Sequence, residues 1–117
     1  MANYKNLIAW QKAHALALAV YRATEPFPAR ERFGLTQQLR RAALSIPTNI
    51  VEGANRKSKK EFRHFLDIAL GSQAETLYLL EFASAVGFTS PSDSSLLLDQ
   101  CDEVGRIIWS LRKAIPS

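Results

Sequence analysis

A regular pattern of apolar residues organises the stretch between Phe33 and Gly53. Apolar residues recur there at steps of three or four, the spacing that places them on one face of an α-helix. These residues are Leu35, Leu39, Ala42, Ala43, Ile46 and Ile50. Pro47 lies inside the run, where it removes a backbone donor and crowds the preceding turn. Because the apolar stripe keeps its phase across Pro47, we predict one kinked, continuous helix over residues 34–55.

A second stripe of the same helix is polar. It consists of Arg41, Ser45, Asn49, Glu52 and Arg56, which also follow one another at steps of three or four. Residues at this spacing share a helix face and can hydrogen-bond to one another. The structural polar network that we expect consists of Arg41, Ser45, Asn49, Glu52 and Glu75. A solvated face and a catalytic pair of carboxylates, Glu52 and Glu75, are the alternatives; neighbouring arginines would neutralise such a pair, which favours the structural network.

Helix-start signals divide the rest of the sequence. The further predicted helices cover residues 7–24, 59–86 and 91–114. Asn6 is of the residue type that caps a helix N-terminus, so we expect it to cap the first helix. Ser58 and Glu61 have the spacing of a capping box, which predicts that the third helix begins at Lys59.

Glycine and proline mark expected helix ends and starts in the second half of the chain. Gly87 is a natural residue to end the third helix. Ser90 followed by Pro91 predicts the N-cap and the first residue of the fourth helix, with Ser92 as the alternative cap. Gly71 lies in the middle of the third helix, where we expect a close-packing point rather than a break.

Length and composition define the fold class. The chain has 117 residues, enough for one domain over residues 1–117, and it contains only five Gly and five Pro. No segment alternates β-branched and polar residues as a strand would. Four helices joined by short connections favour an all-α, up-down-up-down antiparallel four-helix bundle.

The sequence also restricts where the protein works. The single cysteine, Cys101, cannot form an internal disulfide, which fits a reducing compartment and predicts a cytoplasmic protein. No stretch approaches the roughly twenty uninterrupted apolar residues that cross a bilayer. We therefore expect no membrane partner.

Positive charge is concentrated in the middle of the chain. The net charge is +4, but residues 30–63 contain nine Lys or Arg and three Asp or Glu. Such a segment favours polyanionic partners, RNA or DNA first, through contacts to phosphate. The predicted nucleic-acid-binding residues are Arg40, Arg41, Arg56, Lys57, Lys59, Lys60 and Arg63. The alternative is that the two adjacent arginines serve subunit contacts and the 56–63 cluster is a solvated helix start.

Candidate chemistry is sparse. His14 and His64 lack other ligands at metal-binding spacing, so no metal site is expected. Cys101 belongs to an apolar helical stripe and is expected to pack rather than react. Phosphate loops, glycine fingerprints and nucleophile elbows are missing from the sequence. We expect neither catalysis nor a cofactor.

Three groups of residues resemble one protein family. They are Leu7 with Trp10-Gln11-Lys12-Ala13, the segment from Phe33 to Gly53 with its Gln38-Leu39-Arg40-Arg41-Ala42-Ala43 and Ser45-Ile46-Pro47 motifs, and the segment from Ser58 to Glu75 with Gly71-Ser72. The pattern resembles the small four-helix bundle proteins encoded in intervening sequences of bacterial 23S ribosomal RNA genes. The match spans nearly the whole chain and is most specific in its middle.

The resemblance implies an assembly and a set of partners. That family is related to the accessory variability protein of diversity-generating retroelements, a barrel-like homopentamer whose basic surface binds nucleic acid and a reverse transcriptase. By this resemblance we expect a homopentamer, binding to RNA or DNA, and a protein partner such as a reverse transcriptase. The alternative is a structural or adaptor oligomer that binds a protein partner, with no nucleic-acid role, through extra apolar faces of the first and third helices.

Overall fold

Four α-helices make up most of residues 3–116, the part of the chain that the computed structural model describes. They are α1 (Ile8–Thr24), α2 (Leu35–Ala54), α3 (Lys59–Ala85) and α4 (Pro91–Ala114). Two short 3-10 turns, Tyr4–Asn6 and Ala29–Glu31, precede α1 and α2. Each helix end lies within one residue of the position expected from the sequence.

Local sequence signals explain where α3 and α4 begin and where α3 ends. The Oγ of Ser58 accepts a hydrogen bond from the Glu61 amide at 3.0 Å, which is one of the two bonds of a capping box. The Oγ of Ser90 accepts from the Asp93 amide at 3.1 Å, and Pro91 is the first residue of α4. Gly87 ends α3 with a φ of 82°, a conformation that glycine adopts without strain.

Asn6 does not cap α1, so this prediction is wrong. Leu7 holds the N-cap position with an extended backbone, and no side chain bonds to the helix start there. Asn6 instead closes the preceding 3-10 turn, where its amide donates to the Asn3 carbonyl at 3.1 Å. The side chain of Asn3 caps that turn by accepting from the Lys5 amide. The side-chain cap therefore lies at the start of the short turn, and α1 begins directly after that turn.

The helices form an antiparallel bundle with an up-down-up-down topology, which confirms the predicted fold. Within residues 3–116, α1 packs against α2 and α4, and α3 packs against the same two helices, whereas no Cα atoms of α1 and α3 lie within 8 Å of each other. The bundle measures 43 × 24 × 20 Å. Helices α1 and α3 therefore occupy diagonally opposite corners. None of the helices in the described part of the chain combines the length and apolar character needed to span a membrane.

The core includes the whole apolar stripe predicted for α2. Its largest fully buried aliphatic side chains are Leu16, Leu39, Ile46, Ile50, Leu66 and Ile108. Burial of each such side chain contributes roughly 1.5–3 kcal/mol to folding. Helix α2 continues through Pro47, which is itself buried. The core contacts that the stripe makes on both sides of Pro47 therefore outweigh the loss of one backbone hydrogen bond at Pro47.

A close approach between α2 and α3 occurs at Gly53 rather than at Gly71. A Cβ on Gly53 would lie 2.8 Å from the Phe65 Cβ and 2.9 Å from a ring carbon of Phe62. Gly71 is exposed, and no atom of the described residues outside its own stretch of helix lies within 4 Å of the position its Cβ would take. The expected close-packing point at Gly71 is therefore wrong within the subunit, because this residue faces away from the bundle.

Candidate nucleic-acid interface

The connection between α2 and α3 carries the densest group of positive charges. The chain turns between Ala54 and Lys59, and Ser58 caps the new helix. The side chains that we call the basic turn are Arg56, Lys57, Lys59, Lys60 and Arg63. Of these, Arg63 is half-buried and the other four are exposed. Four of the seven predicted nucleic-acid-binding residues are thus brought together at one accessible site.

An aromatic platform supports the basic turn. Phe62 and Phe65 are half-buried against Gly53, which holds the end of α2 close to the start of α3. The guanidinium carbon of Arg56 lies 4.8 Å from the centroid of the Phe65 ring, a cation–π distance. This contact positions Arg56 over the apolar layer, and the same contact covers a face of Phe65.

Arg63 is less available than its charge suggests. Its guanidinium donates a hydrogen bond to the backbone carbonyl of Pro116, near the end of the chain. This bond ties the first turn of α3 to the segment that follows α4. Arg63 therefore contributes charge to the surface while its donors are partly used within the subunit.

Charge is separated along the bundle axis. The antiparallel topology groups the first halves of α1 and α3 with the second halves of α2 and α4, together with the adjoining segments. This basic end has ten Lys or Arg and four Asp or Glu, whereas the opposite end has five and seven. The charged residues of the basic end are Lys5, Lys12, Arg56, Lys57, Lys59, Lys60, Arg63, Arg106, Arg112 and Lys113, with Glu52, Glu61, Asp67 and Glu103. The two ends have formal charges of +6 and −2, which together give the net charge of +4.

Sequence reasoning missed the bases that α1 and α4 bring to this end. Lys5 and Lys113 are exposed there, at opposite ends of the sequence. The Nε and a terminal nitrogen of Arg112 bond to the two carboxylate oxygens of Asp67, at 2.5 and 3.3 Å. The predicted topology already places the start of α1 and the end of α4 beside the α2–α3 turn. That topology was the signal that could have identified these residues.

Arg40 is removed from the candidate interface because its guanidinium is used within the subunit. Its Nε donates to the Thr24 Oγ1 at 2.7 Å, and another nitrogen donates to the Tyr21 carbonyl at 3.1 Å. That nitrogen also lies 3.3 Å from a carboxylate oxygen of Glu25, and the guanidinium stacks 4.8 Å from the Tyr21 ring centroid. Arg40 therefore joins α1 to α2, far from the basic turn.

Only the middle of the expected polar network forms within the subunit. The amide nitrogen of Asn49 donates to the Ser45 carbonyl at 2.8 Å and to its Oγ at 3.0 Å. The Ser45 Oγ lies 2.8 Å from the Ser72 Oγ, so the partner from α3 is a serine rather than Glu75. These three half-buried side chains link α2 to α3.

The charged members of the network remain apart. Arg41, Glu52 and Glu75 are exposed and form no ion pair with any other residue among residues 3–116. The axial register of α2 against α3 explains why Glu52 and Glu75 do not meet. Because Ser45 lies opposite Ser72 in antiparallel helices, Glu52 lies level with residue 65. Glu75 is ten residues further along α3, about 15 Å away. Neither the full network nor a paired-carboxylate centre is therefore assembled.

Arg41 and Glu75 do share a groove between α2 and α3. The groove has a volume of about 480 Å³, and its polar lining also includes the hydroxyls of Ser45 and Ser72. The exposed ring of Phe33 lies at its edge. Arg41 therefore faces the side of the bundle rather than the basic end.

The cysteine and the two histidines of residues 3–116 lie apart and are not grouped into a reactive or metal-binding centre. Burial raises the pKa of the Cys101 thiol to about 12, which disfavours the reactive thiolate. His14 stacks on Trp10, with ring centroids 4.8 Å apart, and His64 makes an edge contact with Phe65. Among residues 3–116, no three His, Cys, Asp or Glu side chains are grouped as metal ligands would be.

Comparison with known proteins agrees with the fold and the sequence motifs. The family described as 23S rRNA-intervening sequence protein matches residues 5–110. The structure is similar, with a TM-score of 0.84, to a crystal structure of a protein of unknown function from Bacteroides thetaiotaomicron VPI-5482, assigned to the S23 ribosomal protein family. The two sequences are 22% identical over 92% of this chain and 96% of the other. A search among curated proteins finds no match. The family match over residues 5–110 shows that the chain belongs to the 23S rRNA-intervening sequence protein family.

Proposed function

We propose that this protein is a non-catalytic module that binds the backbone of RNA or DNA through its basic end. The observation that carries the proposal is the separation of charge along the bundle, +6 at one end and −2 at the other. A polyanion approaching such a molecule is attracted to one end and repelled from the other. The charge separation therefore orients the protein on nucleic acid.

The basic turn is suited to phosphate in two ways. Lys57, Lys59 and Lys60 are exposed and form no ion pair with any of residues 3–116, so their ammonium groups are free to contact phosphates. They also surround the N-terminus of α3, where backbone amides and the helix dipole favour anions. Ser58 satisfies the Glu61 amide, which leaves the amides of the first α3 residues for a phosphate oxygen.

Binding of this kind is not sequence-specific. Phe62 and Phe65, the aromatic residues nearest to the lysines, are half-buried beneath the turn, and Arg56 covers part of Phe65. Recognition of bases by stacking needs exposed aromatic faces beside the charge. Contacts to phosphate fix position and carry no sequence information. We therefore infer selectivity for charge and shape alone.

Assembly would strengthen this interaction. We propose a closed homo-oligomer, which the family resemblance indicates is a pentamer. Several copies of the basic turn would then contact one polyanion, and each additional contact would benefit from the high effective concentration. A weak single site would thus give useful affinity in the oligomer.

Two double charge reversals of equal size locate the binding surface. Lys59→Glu/Lys60→Glu alters the basic turn, and Arg30→Glu/Arg32→Glu alters exposed arginines at the opposite end. Both variants change the net charge equally. Fluorescence anisotropy with single-stranded RNA, single-stranded DNA and duplex DNA would measure affinity for each protein.

The proposal predicts that the Lys59/Lys60 variant loses about tenfold or more in affinity for all three probes. The Arg30/Arg32 variant should remain much closer to the wild type. Equal losses in both variants would show that net charge alone controls binding, and the basic end would not be the binding surface.

A second candidate function is a structural or adaptor oligomer that binds a protein partner without nucleic acid. Exposed aromatic side chains on α3 favour it, since Tyr78 is 62% exposed and Phe82 is 45% exposed. Wild-type protein that binds none of the three probes even at low salt would favour this second function.

A further inference from the structure

Helix α3 carries an exposed stripe along the side that borders α2. The residues of this α3 stripe are Ile68, Gly71, Glu75, Tyr78 and Phe82, and all five are exposed. Their steps of three, four, three and four residues are those of a coiled-coil seam. Tyr78 and Phe82 also contact each other, with ring centroids 6.4 Å apart. An apolar seam of this kind is the type of surface that another helix covers.

Helix α1 carries a second exposed stripe with the same spacing. The residues of this α1 stripe are Ile8, Gln11, Ala15, Leu18 and Arg22, and all five are exposed. Ile8 is 56% exposed and Leu18 is 42% exposed, although both are large aliphatic residues. The α1 stripe thus has two large apolar side chains and the α3 stripe has three, and each stripe contains a small residue, Ala15 or Gly71.

The two stripes point away from each other. Helices α1 and α3 occupy diagonal corners of the bundle, and each packs between α2 and α4. A single neighbouring molecule could not cover both stripes at once. A two-fold dimer built on either stripe would leave the other exposed. Two apolar seams on opposite corners fit an arrangement in which each subunit has two neighbours.

Charge makes the two helices complementary to each other rather than to themselves. Helix α1 contains Lys12 and Arg22 and no acidic residue. Helix α3, after Arg63, contains three acidic residues and no Lys or Arg. These acidic residues are Asp67, Glu75 and Glu81. Asp67 pairs with Arg112 and Lys12 with Glu103 of the same subunit, so Arg22 on α1 and Glu75 and Glu81 on α3 carry the complementarity. Pairing of α3 with α3 would place like charges together, whereas pairing of α3 with α1 would place opposite charges together.

We propose that the α3 stripe of one copy packs against the α1 stripe of a second copy. The contact rests on the oligomer included in the proposed function and assigns its interface. It is heterologous, since each subunit uses one stripe toward each neighbour, and such a contact forms a ring when the rotation between neighbours closes and an open filament when it does not. The closed oligomer of the proposed function corresponds to the ring. Each stripe contains a small residue, Ala15 or Gly71, at which a neighbouring helix can approach closely.

The arrangement has a consequence for the basic ends. Helices α1 and α3 run in the same direction in every subunit. When the bundles stand along the ring axis, α1 and α3 are parallel across each interface, and all basic ends lie on one rim. The proposed interface therefore gathers the basic turns where one polyanion can contact several of them.

A mixing experiment tests the interface directly. Ile8→Glu/Leu18→Glu disables the α1 stripe, and Tyr78→Glu/Phe82→Glu disables the α3 stripe. All four residues are exposed, so each variant should keep its helical circular dichroism and cooperative unfolding. Leu96→Glu/Trp109→Glu, which alters exposed apolar residues of α4, is the matched control.

Light scattering distinguishes the outcomes at micromolar concentration. The wild type and the α4 control should form the same oligomer, and each stripe variant alone should have the subunit mass of 13.1 kDa. An equimolar mixture of the two stripe variants should form a 1:1 dimer of about 26 kDa, twice the 13.1 kDa subunit. In this dimer the intact α3 stripe of the first variant contacts the intact α1 stripe of the second.

Three results would overturn the assignment. A stripe variant that still forms the wild-type oligomer on its own would show that its stripe is not needed. Monomeric stripe variants that do not combine when mixed would show that the stripes do not bind each other, while the wild-type oligomer would stand. A monomeric wild type would remove both the interface and the oligomer.

Discussion

The Nε of Arg40 in α2 donates a hydrogen bond to the buried Oγ1 of Thr24 in α1, at 2.7 Å. Thr24 donates in turn to the Val20 carbonyl, so the guanidinium is connected to the backbone of α1. Arg41, the next residue, is exposed and takes part in no ion pair among residues 3–116. Two adjacent arginines therefore have different functions, one holding helices together and one lining a groove.

Removal of Arg40 should destabilise the fold. Arg40→Ala would remove the bonds to Thr24 and to the Tyr21 carbonyl, and hydrogen bonds to a charged group contribute about 1.5–3 kcal/mol each. Because the side chain is one-quarter exposed, we expect a total loss of about 1–3 kcal/mol in the free energy of unfolding. Urea denaturation followed by circular dichroism measures it.

Arg41→Ala serves as the matched control for Arg40. An exposed side chain without a partner in its subunit should change stability by less than about 0.5 kcal/mol. Equal losses for the two variants would contradict the assignment of Arg40 as the helix-joining residue. They would also support the larger polar network that the sequence predicted, in which Arg41 is a member.

Gly53→Ala should destabilise the α2–α3 turn. The new methyl would lie 2.8 Å from the Phe65 Cβ, so α2 and α3 would have to move apart. We expect a loss of about 1–3 kcal/mol from overpacking, which exceeds the gain of roughly 1 kcal/mol in helix propensity. Thermal unfolding measures the net effect, and a rise in melting temperature would contradict the close approach.

Gly71→Ala is the control for Gly53, because both replace a helical glycine. No atom of the described residues outside its own stretch of helix lies within 4 Å of the added methyl at Gly71, so helix propensity should stabilise the subunit by roughly 1 kcal/mol. This comparison is best made in the Ile8→Glu/Leu18→Glu background, where contacts between subunits are removed. A destabilised Gly71 variant in that background would show that residue 71 is packed within the subunit.

Cys101 should resist alkylation in the folded protein. Its pKa is raised from 9.0 to about 12 by burial, and the thiolate is the reactive form. At pH 8 we expect iodoacetamide to react at least about a hundredfold more slowly with the native protein than with the urea-unfolded chain. Mass spectrometry over time gives both rates. Similar rates would show that the thiol is accessible and ionised.

Features set by short sequence segments were the most predictable. The caps at Ser58 and Ser90 depend on residues within three positions of each other, and both form as expected. Pro47 did not break α2, because the apolar stripe on both sides packs into one core. Local hydrogen-bonding chemistry and helical periodicity therefore determine the bounds of the helices.

Features set by the alignment of neighbouring helices were not predictable. The side chains of Arg40 and Arg41 leave α2 in directions about 100° apart. Which of them reaches Thr24 depends on where α1 lies against α2. The side-chain partner of Ser45 proved to be Ser72 because the α2–α3 turn fixes the axial register. The same register separates Glu52 from Glu75. Sequence periodicity identifies which residues share a helix face, but not which residues of the neighbouring helix lie opposite them.

The dependence of nucleic-acid affinity on salt tests the central claim most directly. For duplex DNA, each phosphate contact contributes about 0.9 to the magnitude of the slope of log affinity against log salt. Reversal of Lys59 and Lys60 to glutamate should reduce that magnitude by about 2, because two phosphate contacts are lost. The Arg30→Glu/Arg32→Glu control should retain the wild-type slope. Identical slopes for all three proteins would contradict binding through the basic end.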